Sequence, residues 1–365
     1  MKVNVRERKR KNEIVYEYYF TYKGQRHSKS GYKTAKKAEK AGSLVLAELM
    51  VKSPQNMAGG NIPLQQLIDE FLEVVKLKYS ENTLYLLKIS LRHVDEVILR
   101  MPIKDVKYNI IQTFFNNHSQ DAYRTNCSIR WGLSRVFDYA VRMKYVTDNP
   151  TKDVMVFGKV TKRKRTYITH DQLNIIIDEI SHNYNLKNVK RGSLVMAVKL
   201  GYYLGLRFGE MAALDKKDFD LKNKTVVINK ALVYAGLKQK DLYVKNGGKT
   251  KTSNAILFVP DNLIEELKAW FKVNPFDIVC PEENGGYLSP TPFGIYFEKR
   301  SQNVYGFNFN YHMLRHSFAQ RLVNNQIDTK TAQELMRHKS FNTTMQYYVH
   351  TSNDKKIEAV NMISR

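Results

Sequence analysis

The stretch His312-Met-Leu-Arg-His-Ser-Phe-Ala319 combines an imidazole and a guanidinium at helical spacing. It lies in residues 311–323, whose pattern predicts a helix, and positions three apart in a helix share one face. His312 and Arg315 can therefore reach one ligand. Viewed alone, the pair fits an ordinary surface helix equally well, so its meaning depends on the residues around it.

Three residues outside this stretch complete a candidate site for a phosphodiester. His338 and Tyr347 follow it, nine positions apart, and Arg207 lies upstream in Leu206-Arg-Phe-Gly-Glu210, where Glu210 could hold the guanidinium. An arginine that only reaches solvent from a helix end is the simpler alternative for Arg207. Deprotonating a tyrosine at neutral pH costs roughly 4 kcal/mol, which two guanidiniums and two imidazoles around one phosphate can offset.

The charge of the chain favours a polyanionic partner. The sequence has 365 residues and a net charge of +24, with basic residues in every candidate domain rather than in one tail. This distribution favours a nucleic acid contacted by several domains. The length exceeds that of one ordinary core, so two or three domains are expected.

Other classes of protein are disfavoured by what the sequence lacks. Cys127 and Cys280 are isolated from each other, so no disulfide framework or zinc site is expected. No apolar run approaches the roughly 20 residues of a membrane span, and no signal peptide is evident. We expect a soluble, cytoplasmic protein with no membrane partner and no cofactor.

Residues 1–52 predict a small three-stranded sheet followed by one helix. Ile14–Tyr22 is rich in β-forming residues, a turn follows, and Gln25–Ser30 continues as a polar strand. Thr34 is a good cap for the helix. The basic run Arg6–Lys11 is typical of a solvated tail, but beside a sheet it could flank a surface that enters the major groove.

The rest of the chain predicts two more domains separated by linkers. Breakers in residues 53–60 and the basic residues within 156–166 mark the linkers. Between them, residues 61–155 show apolar spacing of about 3.6 residues, which predicts an all-α bundle of four or five helices. Residues 167–365 predict a mixed, mainly α domain with a small sheet, so the fold class is multidomain α+β.

Two strands of the last domain frame a candidate lysine. Thr225–Ile228 and Ala255–Val259 are predicted strands, and the second follows a tip that presents Lys249 and Lys251. A lysine at such a tip is usually only solvated. Its interest depends on the other motifs.

Taken together, these motifs resemble the tyrosine recombinases, the integrases of temperate phages and integrative elements. The resemblance covers the whole chain. Residues 1–52 are similar to an arm-type DNA-binding domain, residues 61–155 to a core-binding domain, and residues 167–365 to the catalytic domain with its C-terminal tail.

The resemblance implies a role for each residue of the site. Arg207 and Arg315 are implied to bind the non-bridging oxygens of the scissile phosphate, and His338 to donate a hydrogen bond to it. His312 is implied to assist removal of the tyrosine proton. Tyr347 would form a 3′-phosphotyrosine and so store the bond energy.

Departures from the family pattern concern three positions. Lys251 is implied to protonate the departing 5′ oxygen, although Lys249 competes for this role. Arg337 stands where a glycine is usual before the second histidine, and could contact phosphate or face solvent. Tyr348 follows Tyr347, but adjacent helical residues point about 100° apart, so only one can serve. The spacing from His338 selects Tyr347.

Further basic and polar residues are candidates for contacts with DNA. Phosphate contacts position a protein, whereas base contacts specify its site. The candidates lie on the predicted polar strand Gln25–Ser30, in the helical bundle and in the linker that follows the bundle: Gln25, Arg26, His27, Lys29, Lys88, Arg92, Arg130, Arg135, Lys162 and Arg163.

The predicted function is therefore site-specific DNA recombination that integrates or excises a mobile element. The expected partners are double-stranded DNA with core-type and arm-type sites, a homotetramer, and accessory bending and directionality proteins. The chain is expected to be associated with a bacterial nucleoid, and residues 350–365 to dock on a neighbouring protomer. A type IB topoisomerase is the alternative; a DNA-binding regulator and a metal-dependent nuclease are disfavoured.

Overall fold

The computed structural model describes residues 3–10, 13–22, 24–52, 60–160, 166–182, 188–247 and 255–348. The chain forms two compact units, Met1–Lys162 and Arg163–Arg365. Helices predominate, and the sheets are small and antiparallel. The multidomain α+β class predicted from the sequence is confirmed. None of the helices in the described ranges has the length and apolar character needed to cross a membrane.

The first unit begins with a sheet backed by a helix. Strands β1 (Asn4–Arg10), β2 (Glu13–Tyr22) and β3 (Gln25–Tyr32) pair in that order, and α1 (Ala35–Lys52) follows. Side chains alternate across a strand, so Tyr18 and its neighbour two positions on face α1 and are buried. The part of the basic run from Arg6 to Arg10 is not a solvated tail but belongs to strand β1, since each residue from Asn4 to Arg10 pairs with β2. Lys11 lies outside the described residues.

The other face of this sheet carries a buried carboxylate. Glu17 is 5% exposed, and it accepts hydrogen bonds from Arg6 Nε at 2.6 Å and Arg8 Nε at 2.8 Å. The guanidiniums of Arg6 and Arg26 both lie 5.1 Å from the ring centre of Tyr19. This open face therefore presents an ordered group of arginines.

A bundle of five helices occupies residues 60–160, in agreement with the apolar spacing. Its core includes Leu67, Leu133 and Phe137, all fully buried. One carboxylate is also inside, because Glu70 accepts hydrogen bonds from two tyrosine hydroxyls. The helices are α2 (Leu64–Val75), α3 (Glu81–Leu91), α4 (Glu96–Arg100), α5 (Tyr108–Asn117) and α6 (Tyr123–Arg142).

The second unit contains eight α-helices and five strands in its described residues. The helices are α7 (His170–His182), α8 (Val189–Leu204), α9 (Phe208–Ala212), α10 (Asp261–Val273), α11 (Pro290–Arg300), α12 (Tyr311–Asn324), α13 (Thr329–Met336) and α14 (Phe341–Tyr348). A π-helical turn, Ser301–Tyr305, follows α11. The strands are β4 (Phe219–Asp220), β5 (Thr225–Ile228), β6 (Lys230–Val233), β7 (Tyr243–Asn246) and β8 (Ala255–Phe258).

The two strands predicted in this unit, β5 and β8, pair antiparallel with each other, and β4 completes their sheet. The sequence did not predict the hairpin β6–β7 between them. Strands β5 (TVVI) and β8 (AILF) are equally short, but they are unbroken runs of apolar and β-branched residues. Strand β6 begins with Lys230 and β7 ends with Lys245 and Asn246, so the sequence of the hairpin is hard to distinguish from that of a polar loop.

Close packing between α8 and α12 positions the site. Gly201 of α8 lies beneath α12, where an added Cβ would come within 2.8 Å of Leu314 and 2.9 Å of the Tyr311 hydroxyl. Gly205 then ends α8 with a φ of 59°, a left-handed conformation that glycine adopts without strain. The chain turns there directly into the segment that carries Arg207.

Candidate active site

Arg207 lies at the break between α8 and α9, directly before the first residue of α9. Its Nη1 donates to Glu210 Oε1 at 2.6 Å, and its backbone N–H donates to Glu210 Oε2 at 2.9 Å. Nη2 donates to the carbonyl of Arg337 at 3.3 Å. The side chain remains about half exposed. Glu210 therefore holds Arg207 while leaving it accessible to a ligand.

Arg315 is held from the inside of the unit. It is 2% exposed, and its guanidinium donates to the carbonyl of Gly205 at 2.5 Å and to that of Met336. These bonds connect α12 to the break after α8 and to the end of α13. Burial lowers the pKa of Arg315, and the charges of Arg207 and Arg337 act in the same direction. A guanidinium nevertheless remains charged at neutral pH.

Arg337 turns inward rather than toward solvent. Its backbone closes α13 in a left-handed conformation, with φ 53° and ψ 44°. Its side chain is buried, and Nη2 donates to Glu210 Oε2 at 2.9 Å and to the carbonyl of Gly205 at 3.2 Å. Glycine adopts this backbone conformation most easily, which is a physical reason why the resembled family usually has glycine at this position. Arg337 instead adds a third guanidinium to the group around Glu210.

The charge of Glu210 is stabilised by these arginines. Burial alone raises the pKa of its carboxyl, but Arg337, Arg207 and Arg315 oppose that effect, and the net pKa is lowered. Glu210 therefore stays ionised at neutral pH.

Tyr347 and His338 lie next to this cluster. Tyr347 is on α14, and its ring stacks on that of His338 with centroids 6.3 Å apart and an interplanar angle of 15°. His338 is 9% exposed, and its Nδ1 is 2.8 Å from Thr344 Oγ1. Tyr347 also acts on the pKa of Arg315, opposing the effect of burial. Tyr347 therefore lies close enough to Arg315 to affect its charge.

Tyr348 has a different environment. Its hydroxyl donates to the carbonyl of Ile327 at 2.6 Å. Burial raises its pKa, and the charge of Asp328 adds to the effect. This environment suits a tyrosine that anchors α14, and it agrees with the choice of Tyr347 from the spacing.

The Tyr347 hydroxyl is 2.6 Å from Nδ1 of His316. His316 was not singled out from the sequence. Its signal was present, because it lies one helical turn after His312 and next to Arg315, but a histidine beside an arginine is common on helix surfaces. The rings of His312 and His316 meet edge to face with centroids 4.5 Å apart.

His312 completes the group on α12. Burial lowers its pKa, and the charges of Arg315 and Arg207 lower it further, so its ring is neutral at neutral pH. His312 and Arg207 also line one cavity of about 650 Å³, whose wall includes Tyr311 and Phe293. Two of the predicted residues therefore open onto a common space.

Several predicted residues lie outside the described ranges: Lys249, Lys251, Lys162, Arg163 and the tail from 350 to 365. Their roles stay predictions. Among the described residues, no cluster of three or more histidine, cysteine, aspartate or glutamate side chains could hold a metal ion.

The candidates on β3 fall on different faces of the sheet. Arg26 shares the open face with Arg6 and Tyr19, whereas His27 stacks on the buried Phe20 with centroids 5.3 Å apart. Alternation places Gln25 and Lys29 on the same side as His27. Arg26 is therefore the β3 candidate placed best for a ligand on the open face.

The candidates in the bundle lie on α3, at its C-terminal end and on α6. Lys88, Arg92 and Arg135 are exposed, and Arg130 is partly buried. Arg135 lies over the ring of Trp131 at 5.4 Å. These positions leave the charged groups accessible to a backbone of phosphates.

Comparison with known proteins identifies related chains. Residues 166–355 match the model of the phage integrase family. The probable integrase of prophage ps2 from Lactococcus lactis is 22% identical over 355 residues, which cover 91% of each chain. Tyrosine recombinase XerC of Bacillus licheniformis is 26% identical over 294 residues, covering 79% of this chain and 91% of that protein.

Solved structures share the fold at low identity. The integrase of transposon Tn1549, in complex with transposon right end DNA, has a TM-score of 0.66 and 17% identity over 83% of this chain and 100% of that one. The lambda integrase tetramer bound to a Holliday junction has a TM-score of 0.58 and 18% identity, covering 88% of this chain and 93% of that one.

Proposed function

The chain belongs to the phage integrase family, and from this membership and the geometry of the site we propose that Tyr347 is the nucleophile with which it cleaves and rejoins DNA. The enzyme is a tyrosine-type site-specific recombinase. One observation carries the assignment: Tyr347 contacts two histidines beside the buried arginine cluster, whereas Tyr348 bonds a backbone carbonyl.

The phosphate would be bound by Arg207, Arg315 and His338. Arg207 is accessible and held by Glu210, which suits an arginine that must receive a ligand without rearranging. Fixed cations stabilise the additional charge of a pentacoordinate phosphorus better than mobile ones, because they need no reorganisation as the charge develops. Lys251 is proposed as the acid that protonates the departing 5′ oxygen.

The reaction is a transesterification. The tyrosine oxygen forms a bond to phosphorus as the bond to the 5′ oxygen breaks, and the 3′-phosphotyrosine retains the energy of the broken ester. A second DNA end can then reverse the step. This chemistry serves recombination between two duplexes, and nothing in the comparisons favours relaxation of a single duplex by a type IB topoisomerase.

Double-stranded DNA is the proposed partner, and a tetramer the proposed assembly. The net charge of +24 supports a long polyanion, and a lambda integrase of the same fold was solved as a tetramer on a Holliday junction. Arg26 is proposed to contact arm-type sites, and Lys88, Arg92, Arg130 and Arg135 to contact core-type sites. Accessory bending and directionality proteins, and association with the nucleoid, remain part of the proposal.

Covalent capture of DNA tests the proposal. The protein is incubated with a pool of nicked duplexes of random sequence, because a nick lets the cleaved strand diffuse away and traps the intermediate. We expect the wild-type protein to form an adduct that survives denaturation, Tyr348→Phe to retain it and Tyr347→Phe to lose it. An adduct retained by Tyr347→Phe would refute the assignment.

A further inference from the structure

The His316 ring contacts the Tyr347 hydroxyl, the group proposed to attack phosphorus. We propose that His316 is the general base that receives the Tyr347 proton during attack on phosphorus, an inference that rests on the proposed function. A general base must lie within hydrogen-bonding reach of the proton that it removes. The 2.6 Å between His316 Nδ1 and Tyr347 Oη satisfies that requirement.

The helix holds the imidazole in place for this task. His316 is on α12, four residues after His312, and the two rings meet at an angle of 82°. Arg315, between them in sequence, is tied to two backbone carbonyls and so fixes this turn of α12. The His316 ring therefore approaches α14 from a rigid support, as a base that acts in the transition state should.

His312 then has a supporting role. Burial and the charges of Arg315 and Arg207 lower its pKa, so it is a neutral ring beside His316 and adds no repulsive charge when His316 becomes protonated. This arrangement explains how His312 can assist removal of the tyrosine proton while a different imidazole bonds the hydroxyl.

The step balances in protons and bonds. The Oη–H bond of Tyr347 breaks and its proton passes to Nδ1 of His316, so this nitrogen must begin unprotonated. The Oη–P bond forms, the bond from phosphorus to the 5′ oxygen breaks, and that oxygen takes a proton from the acid, proposed to be Lys251. Rejoining runs in reverse, with His316 returning its proton to the tyrosine oxygen.

The test compares His316→Gln with the wild type on nicked duplexes already selected from the random pool by wild-type capture. Glutamine can still bond the hydroxyl but cannot take its proton, so we expect single-turnover cleavage to slow by roughly 10²-fold or more. Binding to the same duplexes, measured by gel shift, should stay unchanged and would show that the variant is folded. His182→Gln, an exposed histidine at the end of α7, is the matched control and should cleave at the wild-type rate.

A tyrosine with a more acidic hydroxyl shows whether His316 acts as a general base or only positions Tyr347. With a fluorinated tyrosine at position 347, whose hydroxyl loses its proton more readily, the base matters less, so the defect of His316→Gln should shrink at least about tenfold. An equal defect with both tyrosines would assign His316 to positioning alone and overturn the proposal, as would a His316→Gln variant that cleaves at the wild-type rate. Failure of the wild-type protein to form any adduct would instead refute the proposed function and this inference with it.

Discussion

Arg337 combines two features that oppose each other at one residue. Its backbone has a positive φ, which costs a residue with a Cβ about 1–2 kcal/mol relative to the right-handed conformation. Its side chain gains an ion pair with Glu210 in return. The sequence alone could not show whether the ion pair offsets the backbone strain, because the direction of the Arg337 guanidinium depends on where Glu210 lies in the folded unit.

Substitutions of Arg337 separate the backbone strain from the ion pair with Glu210. We expect Arg337→Ala to be less stable than Arg337→Gly by about 1 kcal/mol in urea unfolding, because both lose the ion pair but only alanine retains the strained backbone. Gln326, exposed and at φ 55°, is the control: its alanine and glycine variants should differ by a similar amount. Equal stabilities for the two Arg337 variants would mean that the left-handed backbone is not strained.

The contribution of Glu210 to the stability of the protein depends on pH. Its pKa is lowered from the ordinary 4.5, so the folded state favours its ionised form, and the resulting stability is present above about pH 4.5 and lost as the pH falls through the lower, folded pKa. We expect Glu210→Gln to cost about 2 kcal/mol at neutral pH, measured by urea unfolding, with the difference from wild type narrowing in acid. A difference that widens in acid would contradict the assignment.

At the scale of elements, the N-terminal sheet depends on one carboxylate to order its arginines. Glu17 binds the Nε atoms of Arg6 and Arg8, which leaves the terminal nitrogens of each guanidinium for another partner. Arginine is well suited to bidentate recognition of guanine. Glu17 is therefore expected to serve specificity more than affinity.

The variant Glu17→Gln tests this role. It should bind random duplex DNA at least as tightly as wild type, because a negative charge is removed, yet lose about tenfold in its preference for selected arm-type sites. Binding of both DNAs by fluorescence anisotropy gives that ratio. Glu13→Gln, an exposed carboxylate on the same strand, should leave the preference intact. A preference retained by Glu17→Gln would show that Arg6 and Arg8 need no support.

Two elements of the second unit were predicted closely from the sequence. Helix α12 was predicted as 311–323 and extends over Tyr311–Asn324, and β5 was predicted with its observed bounds. The hairpin β6–β7 was missed because its strands mix apolar with charged and amide side chains, whereas β5 and β8, which are equally short, do not. His316 was missed for a different reason. Its contact with Tyr347 forms only because the fold brings α14 against α12, and the spacing of residues along the chain does not predict that contact.

At the scale of the whole molecule, charge determines how the protein meets DNA. Binding that neutralises many phosphates releases counterions, so affinity falls steeply with salt. If six or more phosphates are contacted, we expect a loss on the order of 10³-fold between about 50 mM and 200 mM salt, measured by filter binding. An affinity that hardly changes over this range would contradict extended contact with the duplex.

The residue that forms the proposed covalent bond with DNA can be identified directly. The adduct formed on nicked duplexes is digested with nuclease and protease, and tandem mass spectrometry locates the residue that carries the remaining nucleotide. We expect the nucleotide to be on Tyr347, linked through a 3′ phosphate. A nucleotide on Tyr348 or any other residue, or a link through a 5′ phosphate, would contradict this assignment.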